Sequence, residues 1–217
     1  LAPFNPTAGT PVLVSADLKT LVIGAPDPVS TTTLPRPAPA VDDSAVHVFV
    51  RSAVGEAWQP QAQLQASNRR APACNNVAQD YCHSSSFGAQ LALSADGNTL
   101  AVSATGETSN ARGVNGDQAN TDSLAAGAVY IFTRTGGKWS QQAYVKASNT
   151  PARNNTWCNL SYWATLPCDG QNFGASLALS ADGNLLAVGA TGDDSKSTGV
   201  NGDANDTSAA FAGAVHT

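Results

Sequence analysis

Apolar residues alternate with small and polar residues in short runs along the chain, and glycine-rich turns separate the runs. In the middle of the chain this pattern predicts four strands, at 89–94, 99–104, 127–134 and 139–147. Alternation with a period of two is typical of strands that bury one face. Asp-Gly joins the first pair and Gly-Gly the second, and both dipeptides supply the positive φ that tight hairpin turns need. The pattern therefore predicts a four-stranded antiparallel unit.

The four-strand pattern is repeated along the chain. Residues 87–104 recur almost unchanged at 173–190, and Gly-Val-Asn-Gly-Asp at 113–117 recurs at 199–203, with the same offset of 86 residues. A weaker first copy begins at residue 8. Repeated four-stranded units are typical of propeller blades, so we predict an all-β protein, a β-propeller of four-stranded antiparallel blades. The units are 1–65 (first blade), 66–146 (second blade with the preceding cysteine loop) and 147–217 (incomplete third blade with the preceding cysteine loop).

The third unit ends within its third strand, which makes about 2.75 blades in this chain. We therefore expect further blades of the same protein, or sister chains, to complete the propeller. In an up-and-down blade, the first and third turns lie on one face, and the second turn and the link to the next blade lie on the other. The long loops, including both cysteine loops, are expected to share one face, and we expect that face to carry the function.

Composition and charge exclude several classes of function. Charged residues make up 12% of the chain and the net charge is −5, which argues against nucleic-acid binding. No apolar run approaches the roughly 20 residues of a membrane span, so no membrane insertion is expected. The four cysteines form two local pairs, Cys74 with Cys82 and Cys158 with Cys168, and neither pair is a Cys-x-x-Cys motif. We predict two disulfides, and hence a secreted or cell-surface protein in an oxidising compartment.

Two short motifs, Phe-Gly and Gly-Ala-Pro, recur in the units. They stand at Phe87-Gly88, at Phe173-Gly174 and at Gly24-Ala25-Pro26, and Gly189-Ala190-Thr191 is a variant. These motifs resemble the FG-GAP repeats of the integrin α-subunit propeller and of many bacterial extracellular proteins. The resemblance implies a secreted propeller and leaves its ligand open.

Calcium binding is a property of many FG-GAP repeats, and their Asp-x-Asp-x-Asp-Gly motif lies in the first hairpin. Here that hairpin keeps one acid, so Asp96 and Asp182 are predicted to be turn residues. In the third long loop Asn201, Asp203 and Asn205 alternate like oxygen ligands of calcium. The second unit has Asn115 and Asp117 at the equivalent positions, but alanine (Ala119) replaces the third oxygen ligand. A polar loop without metal is the favoured interpretation and bound Ca²⁺ is the alternative.

Aromatic residues are concentrated in the second cysteine loop, which contains Trp157, Tyr162 and Trp163, whereas the first contains only Tyr81. Exposed aromatic side chains on a closed loop are typical of protein or carbohydrate recognition. Packing against the edge of the propeller is an equally good explanation.

Two further aromatic positions recur between units. Trp58 and Trp139 precede the equivalent segments 62–68 and 143–149 and are assigned to packing. His47, Tyr130 and His216 occupy one position of the third strand, where we predict a contact at the rim of the propeller.

Motifs of serine hydrolases, metalloproteases and P-loop enzymes are absent from the sequence. The sequence therefore favours a non-catalytic extracellular binding or adhesion propeller that recognises a protein or glycan ligand through the long-loop face. One alternative is a structural subunit of an extracellular assembly or filament completed by other chains. Another is part of an enzyme whose site lies in further blades.

Overall fold

This computed structural model describes residues 10–26, 44–69, 73–74, 82–83, 85–151 and 170–217. All the regular secondary structure in this part of the chain is strand, in three antiparallel sheets and one short ribbon. The prediction of an all-β fold built from four-stranded antiparallel units is confirmed.

Each sheet is an up-and-down meander. The first contains β1 (Val12–Val14), β2 (Thr20–Ala25), β3 (Ala45–Val50) and β4 (Gln59–Leu64). A two-stranded ribbon of β5 (Ala73–Cys74) and β6 (Cys82–His83) follows. The second sheet contains β7 (Phe87–Leu93), β8 (Thr99–Ala104), β9 (Ala128–Thr135) and β10 (Lys138–Val145). The third contains β11 (Phe173–Leu179), β12 (Leu186–Ala190) and β13 (Ala214–His216).

The hairpin between the first two strands has the same construction in every sheet. In the second sheet Asp96 Oδ1 accepts hydrogen bonds from the Ser94 hydroxyl (2.6 Å) and the Asn98 N–H (2.9 Å). Asp182 accepts the equivalent bonds from Ser180 and Asn184. These bonds satisfy the carboxylates within the turn and lower the pKa of both aspartates. The prediction that Asp96 and Asp182 are turn residues is confirmed.

The hairpin turns of successive sheets are hydrogen-bonded to each other. The Ala16 N–H donates to the Ala95 carbonyl (3.0 Å), and the Ala95 N–H donates to the Ala181 carbonyl (2.9 Å). We call the side of the molecule that carries these turns the short-turn face. The three sheets therefore stand side by side with their first hairpins aligned.

Apolar side chains fill both spaces between neighbouring sheets. Between the first and second sheets, Val46, Val48, Phe87 and Leu100 are fully buried. Phe87 lies 5.4 Å from the Tyr130 ring, edge to face. β7 begins at Phe87 and not at the predicted residue 89, because Phe87 pairs with Ala104 across a bulge. Between the second and third sheets, the buried cluster is Ala92, Ala101, Val129, Ala147, Phe173, Val188 and Ala190.

The second and third sheets also meet through backbone. Gly127 and Phe173 form an isolated parallel bridge, and the Phe173 N–H donates to the Ala126 carbonyl (3.1 Å). A Cβ on Gly127 would lie 2.3 Å from the Phe173 carbonyl oxygen, so only glycine permits this approach.

Candidate functional site

The long loops between second and third strands, 105–127 and 191–213, lie on the side opposite the hairpin turns. The first of them contacts the segment that leaves β4 of the first sheet and the end of β10 in its own sheet: Asn68 donates to Glu107 (3.0 Å) and the Asn115 N–H donates to the Tyr144 carbonyl (2.7 Å). We call this side the long-loop face. The prediction that the long loops share one face is borne out for these two loops and for the described ends of the inter-sheet links.

A buried carboxylate anchors the loop of the second unit. Glu107 Oε2 accepts hydrogen bonds from Lys146 Nζ (2.7 Å) and from the Ser109 N–H (3.1 Å). Its other oxygen accepts the bond from Asn68, whose Oδ1 in turn accepts a hydrogen bond from the Tyr130 hydroxyl (2.5 Å). The loop is thereby fixed to both adjoining sheets through one charged group.

Burial controls the electrostatics of this anchor. Loss of hydration lowers the pKa of Lys146, and the adjacent Glu107 carboxylate partly opposes that effect. Burial, together with the Glu107 charge, raises the pKa of the Tyr144 phenol. The Tyr144 hydroxyl is buried. The phenol therefore stays neutral, and the ion pair of this anchor is Lys146 with Glu107, 2.7 Å apart.

The third unit repeats the anchor with a shorter acid. Asp193, 86 residues after Glu107, is fully buried and accepts hydrogen bonds from Asn149 Nδ2 (2.9 Å) and the Ser195 N–H (2.8 Å). Gln171 Nε2 lies 3.4 Å from the same carboxylate, and His216 Nε2 lies 3.5 Å from it. The repeated acid, serine and asparagine indicate an architectural role in positioning the loops.

The predicted metal-binding residues of the second unit are engaged in loop hydrogen bonds. Asn115 Oδ1 accepts from the Tyr144 N–H (3.0 Å), and this residue adopts a left-handed conformation (φ 57°). Asp117 Oδ1 accepts from the Ala119 N–H (2.7 Å). Their oxygens therefore stabilise the loop itself, as the polar-loop interpretation expects.

The predicted metal-binding residues of the third unit form a similar turn. Asp203 Oδ1 accepts hydrogen bonds from the Asn205 N–H (2.9 Å) and side chain (3.3 Å), so these two residues are brought together. Asn201 repeats the left-handed conformation of Asn115 (φ 58°). Across the described part of the chain, no group of three or more His, Cys, Asp or Glu side chains is arranged to hold a metal ion.

Each long loop presents an exposed valine at its Gly-Val-Asn-Gly-Asp segment. Val114 is 64% exposed and Val200, its equivalent, is 92% exposed. The backbone beside Val114 is held by an isolated antiparallel bridge to Val145. These loops combine a fixed backbone with solvent-exposed apolar side chains.

The predicted aromatic ligand-binding residues, Tyr81, Trp157, Tyr162 and Trp163, lie outside the described residues, as do Cys158 and Cys168. Cys74 and Cys82 are described in backbone only, where they lie directly opposite each other in the β5–β6 ribbon. The two disulfides remain predictions.

The predicted rim contact at the third-strand aromatic position is wrong for Tyr130. Its side chain is fully buried, packs 5.3 Å from the Tyr144 ring and donates to Asn68. His47 and His216 are half-buried; burial lowers the pKa of His47, and His216 packs edge to face on Phe173 (5.3 Å). Tyr130 belongs to the interior because Phe87, Tyr144 and the incoming link at Asn68 cover it.

The assignment of Trp58 and Trp139 to packing is confirmed. The Arg51 guanidinium lies 4.5 Å from the Trp58 ring centroid, and that of Arg134 lies 5.2 Å from the Trp139 centroid. Trp139 also donates to Gln61 of the first sheet (3.0 Å). Both rings therefore pack against neighbouring side chains at the short-turn side of their sheets.

The sequence interpretation missed the Glu107–Lys146 anchor. The available signal was the recurrence of an acid at 107 and 193 and of Ala-Ser-Asn at 66–68 and 147–149.

None of the described residues forms a helix long and apolar enough to cross a bilayer. The sequence matches no protein-family model and no curated protein.

Proposed function

We propose that the protein is a non-catalytic extracellular binding module that recognises a protein or glycan ligand through the long-loop face. The observation that carries this proposal is the pair of exposed valines, Val114 and Val200, on loops anchored by buried acids. Apolar side chains on a preorganised backbone lose little entropy when they bind, which favours recognition.

The test is binding of the labelled protein to arrays of extracellular-matrix proteins and glycans. For any ligand found, Val114→Asp combined with Val200→Asp should weaken binding at least tenfold. The matched control is Val54→Asp, because Val54 is similarly exposed and lies in the turn between β3 and β4, on the short-turn face. No ligand on either array, or equal loss in the control, would refute the proposal.

Extracellular location and disulfides are part of the same proposal, as is membership of the FG-GAP repeats. The register of β5 and β6 supports the first bridge: Cα atoms of directly opposed antiparallel residues lie about 4.5–5.5 Å apart, within the about 4.4–6.8 Å that a disulfide spans. Peptide mapping without reduction should recover Cys74 linked to Cys82. Free thiols at both positions would argue against an oxidising compartment.

A second candidate function, a structural subunit of an extracellular assembly, is favoured by the outer face of the third sheet. Val215, in β13, is 73% exposed and accessible to another copy. Sedimentation over a concentration series should reveal association that Val215→Glu abolishes and Val200→Glu preserves. A monomer at all concentrations would exclude assembly between copies.

A further inference from the structure

The anchor between the first two sheets brings an amine and a carboxamide to one carboxylate. Lys146 Nζ donates to Glu107 Oε2 (2.7 Å), and Asn68 Nδ2 donates to Glu107 Oε1 (3.0 Å). The Tyr130 hydroxyl donates to Asn68 Oδ1 (2.5 Å). Each oxygen of Glu107 therefore holds one of two groups that can react with each other, and a phenol polarises the carbonyl of the carboxamide.

Burial moves the amine towards its reactive form. The side chain of Lys146 is 0% exposed and that of Glu107 is 5% exposed. Loss of hydration lowers the pKa of Lys146, so transfer of its proton to Glu107 is easier here than in water. A neutral lysine amine is a nucleophile, and an ammonium group is not.

The carboxamide of Asn68 is held at both ends. Its Nδ2 also donates to the Gln118 carbonyl (3.3 Å), and its Oδ1 accepts from Tyr130. The Tyr130 hydroxyl thus lies where negative charge develops when the Asn68 carbonyl carbon, Cγ, becomes tetrahedral. That intermediate carries both nitrogens on Cγ, and two nitrogens on one carbon can bond to a carboxylate in bidentate fashion. The site is therefore complementary to the intermediate of amide exchange.

We propose that Lys146 and Asn68 join in a side-chain amide bond, and that Glu107 transfers the protons of the reaction. Glu107 accepts a proton from the Lys146 ammonium, and Nζ then forms a bond to Asn68 Cγ. Glu107 delivers this proton to Nδ2, the Cγ–Nδ2 bond breaks, and the nitrogen leaves as ammonia. Nζ returns a second proton to Glu107 as the new amide forms. The reaction loses one ammonia and needs no oxidant or other reactant.

The bond fastens the segment that follows β4 to the residue that follows β10. It closes a loop from residue 68 to residue 146, which includes every strand of the second sheet. A covalent link across a long loop stabilises a protein by constraining its unfolded chain. This role goes beyond ligand recognition by the long-loop face and does not rest on it.

The test is mass spectrometry of the purified protein after reduction of any disulfides. The intact mass should be lower than the mass of the sequence by one ammonia. Trypsin does not cleave after an acylated lysine, so digestion should yield a branched peptide that joins residues 52–69 to residues 139–153. Fragmentation should place the branch at Asn68 and Lys146. Separate peptides of residues 52–69 and 139–146, or an ammonia loss confined to one unbranched peptide, would overturn the inference.

Two substitutions assign the reacting groups. Asn68→Ala removes the carbon that is attacked, and it should show the full mass of its sequence and no branched peptide. The matched control is Asn149→Ala, because Asn149 is the equivalent amide on Asp193, and this variant should keep the branch. Equal linked fractions in the two variants would overturn the assignment of Asn68.

Tyr130→Phe keeps the ring and the Glu107 carboxylate and removes the hydrogen bond to Asn68 Oδ1. In protein sampled at fixed times after cell-free synthesis, its branched peptide should accumulate at least about tenfold more slowly. An unchanged rate would contradict the role of Tyr130. These mass measurements are independent of the binding arrays, so failure of this inference and failure of the proposed function are distinguishable.

Discussion

Replacing Lys146 by methionine should destabilise the protein strongly, because the substitution removes a buried cation and keeps the side-chain length. It leaves the Glu107 carboxylate buried, with hydrogen bonds from Asn68 and the Ser109 N–H and no positive charge. Breaking a buried ion pair by removing one partner costs about 3–5 kcal/mol. Since two donors remain on Glu107, we expect a loss of about 3 kcal/mol, the lower end of that range.

The assay is urea unfolding followed by tryptophan fluorescence, with the m-value compared between variants. A loss of this size lowers the melting temperature by roughly 6–12 °C for a chain of this length. The control, Lys138→Met, changes an exposed lysine at the start of β10 and should stay within about 0.5 kcal/mol of the unmodified protein. Combining Lys146→Met with Glu107→Gln should recover part of the loss. A loss below about 1 kcal/mol, or a double variant no more stable than Lys146→Met, would refute the assignment of Glu107 and Lys146 as the anchor.

The remaining predictions concern the backbone, pH and metal. Gly127→Ala should cost at least about 2 kcal/mol in urea unfolding, since its Cβ would meet the Phe173 backbone, whereas Gly113→Ala, with no atom near its Cβ, should cost less. Leu18→Gly should stabilise by up to about 1 kcal/mol, because Leu18 adopts φ 60° where the other hairpins have glycine; a net loss would contradict this. The hairpin aspartates Asp17, Asp96 and Asp182 have a pKa below the ordinary value of 3.8, so their contribution is present above pH 4 and is lost as pH falls through the folded-state pKa. Replacing all three by asparagine should flatten the acid limb of a melting-temperature profile, and an unchanged limb would contradict that assignment. Adding EDTA should leave the melting temperature unchanged, because the loop oxygens already accept hydrogen bonds; a fall would support bound calcium.

The hairpins could be predicted from the sequence because their signals are local. The predicted strand 99–104 coincides with β8, and the aspartates bond within two residues of themselves. The turn Gly136-Gly137 joins β9 and β10 as the dipeptide predicts, with both glycines at positive φ. In such turns, backbone conformation depends on the residues of the turn alone.

The anchor and the burial of Tyr130 could not be predicted in this way. Glu107 and Lys146 are 39 residues apart, and Asn68 and Tyr130 are 62 apart, so their contacts depend on how the sheets are placed side by side. The comparison of Tyr130 with two histidines suggested a rim position, because a polar ring is often exposed. Asn68 supplies the hydrogen-bond partner that makes burial of its hydroxyl favourable.

The central claim is that each internal repeat forms one sheet and that the three sheets stand side by side with their first hairpins aligned. Hydrogen-bond scalar couplings in solution NMR test it most directly, because they connect a donor nitrogen to its acceptor carbonyl carbon. We predict couplings from the Ala16 nitrogen to the Ala95 carbonyl and from the Ala95 nitrogen to the Ala181 carbonyl. Their absence, in a spectrum that resolves the local coupling from Gly97 to Ser94, would contradict the arrangement.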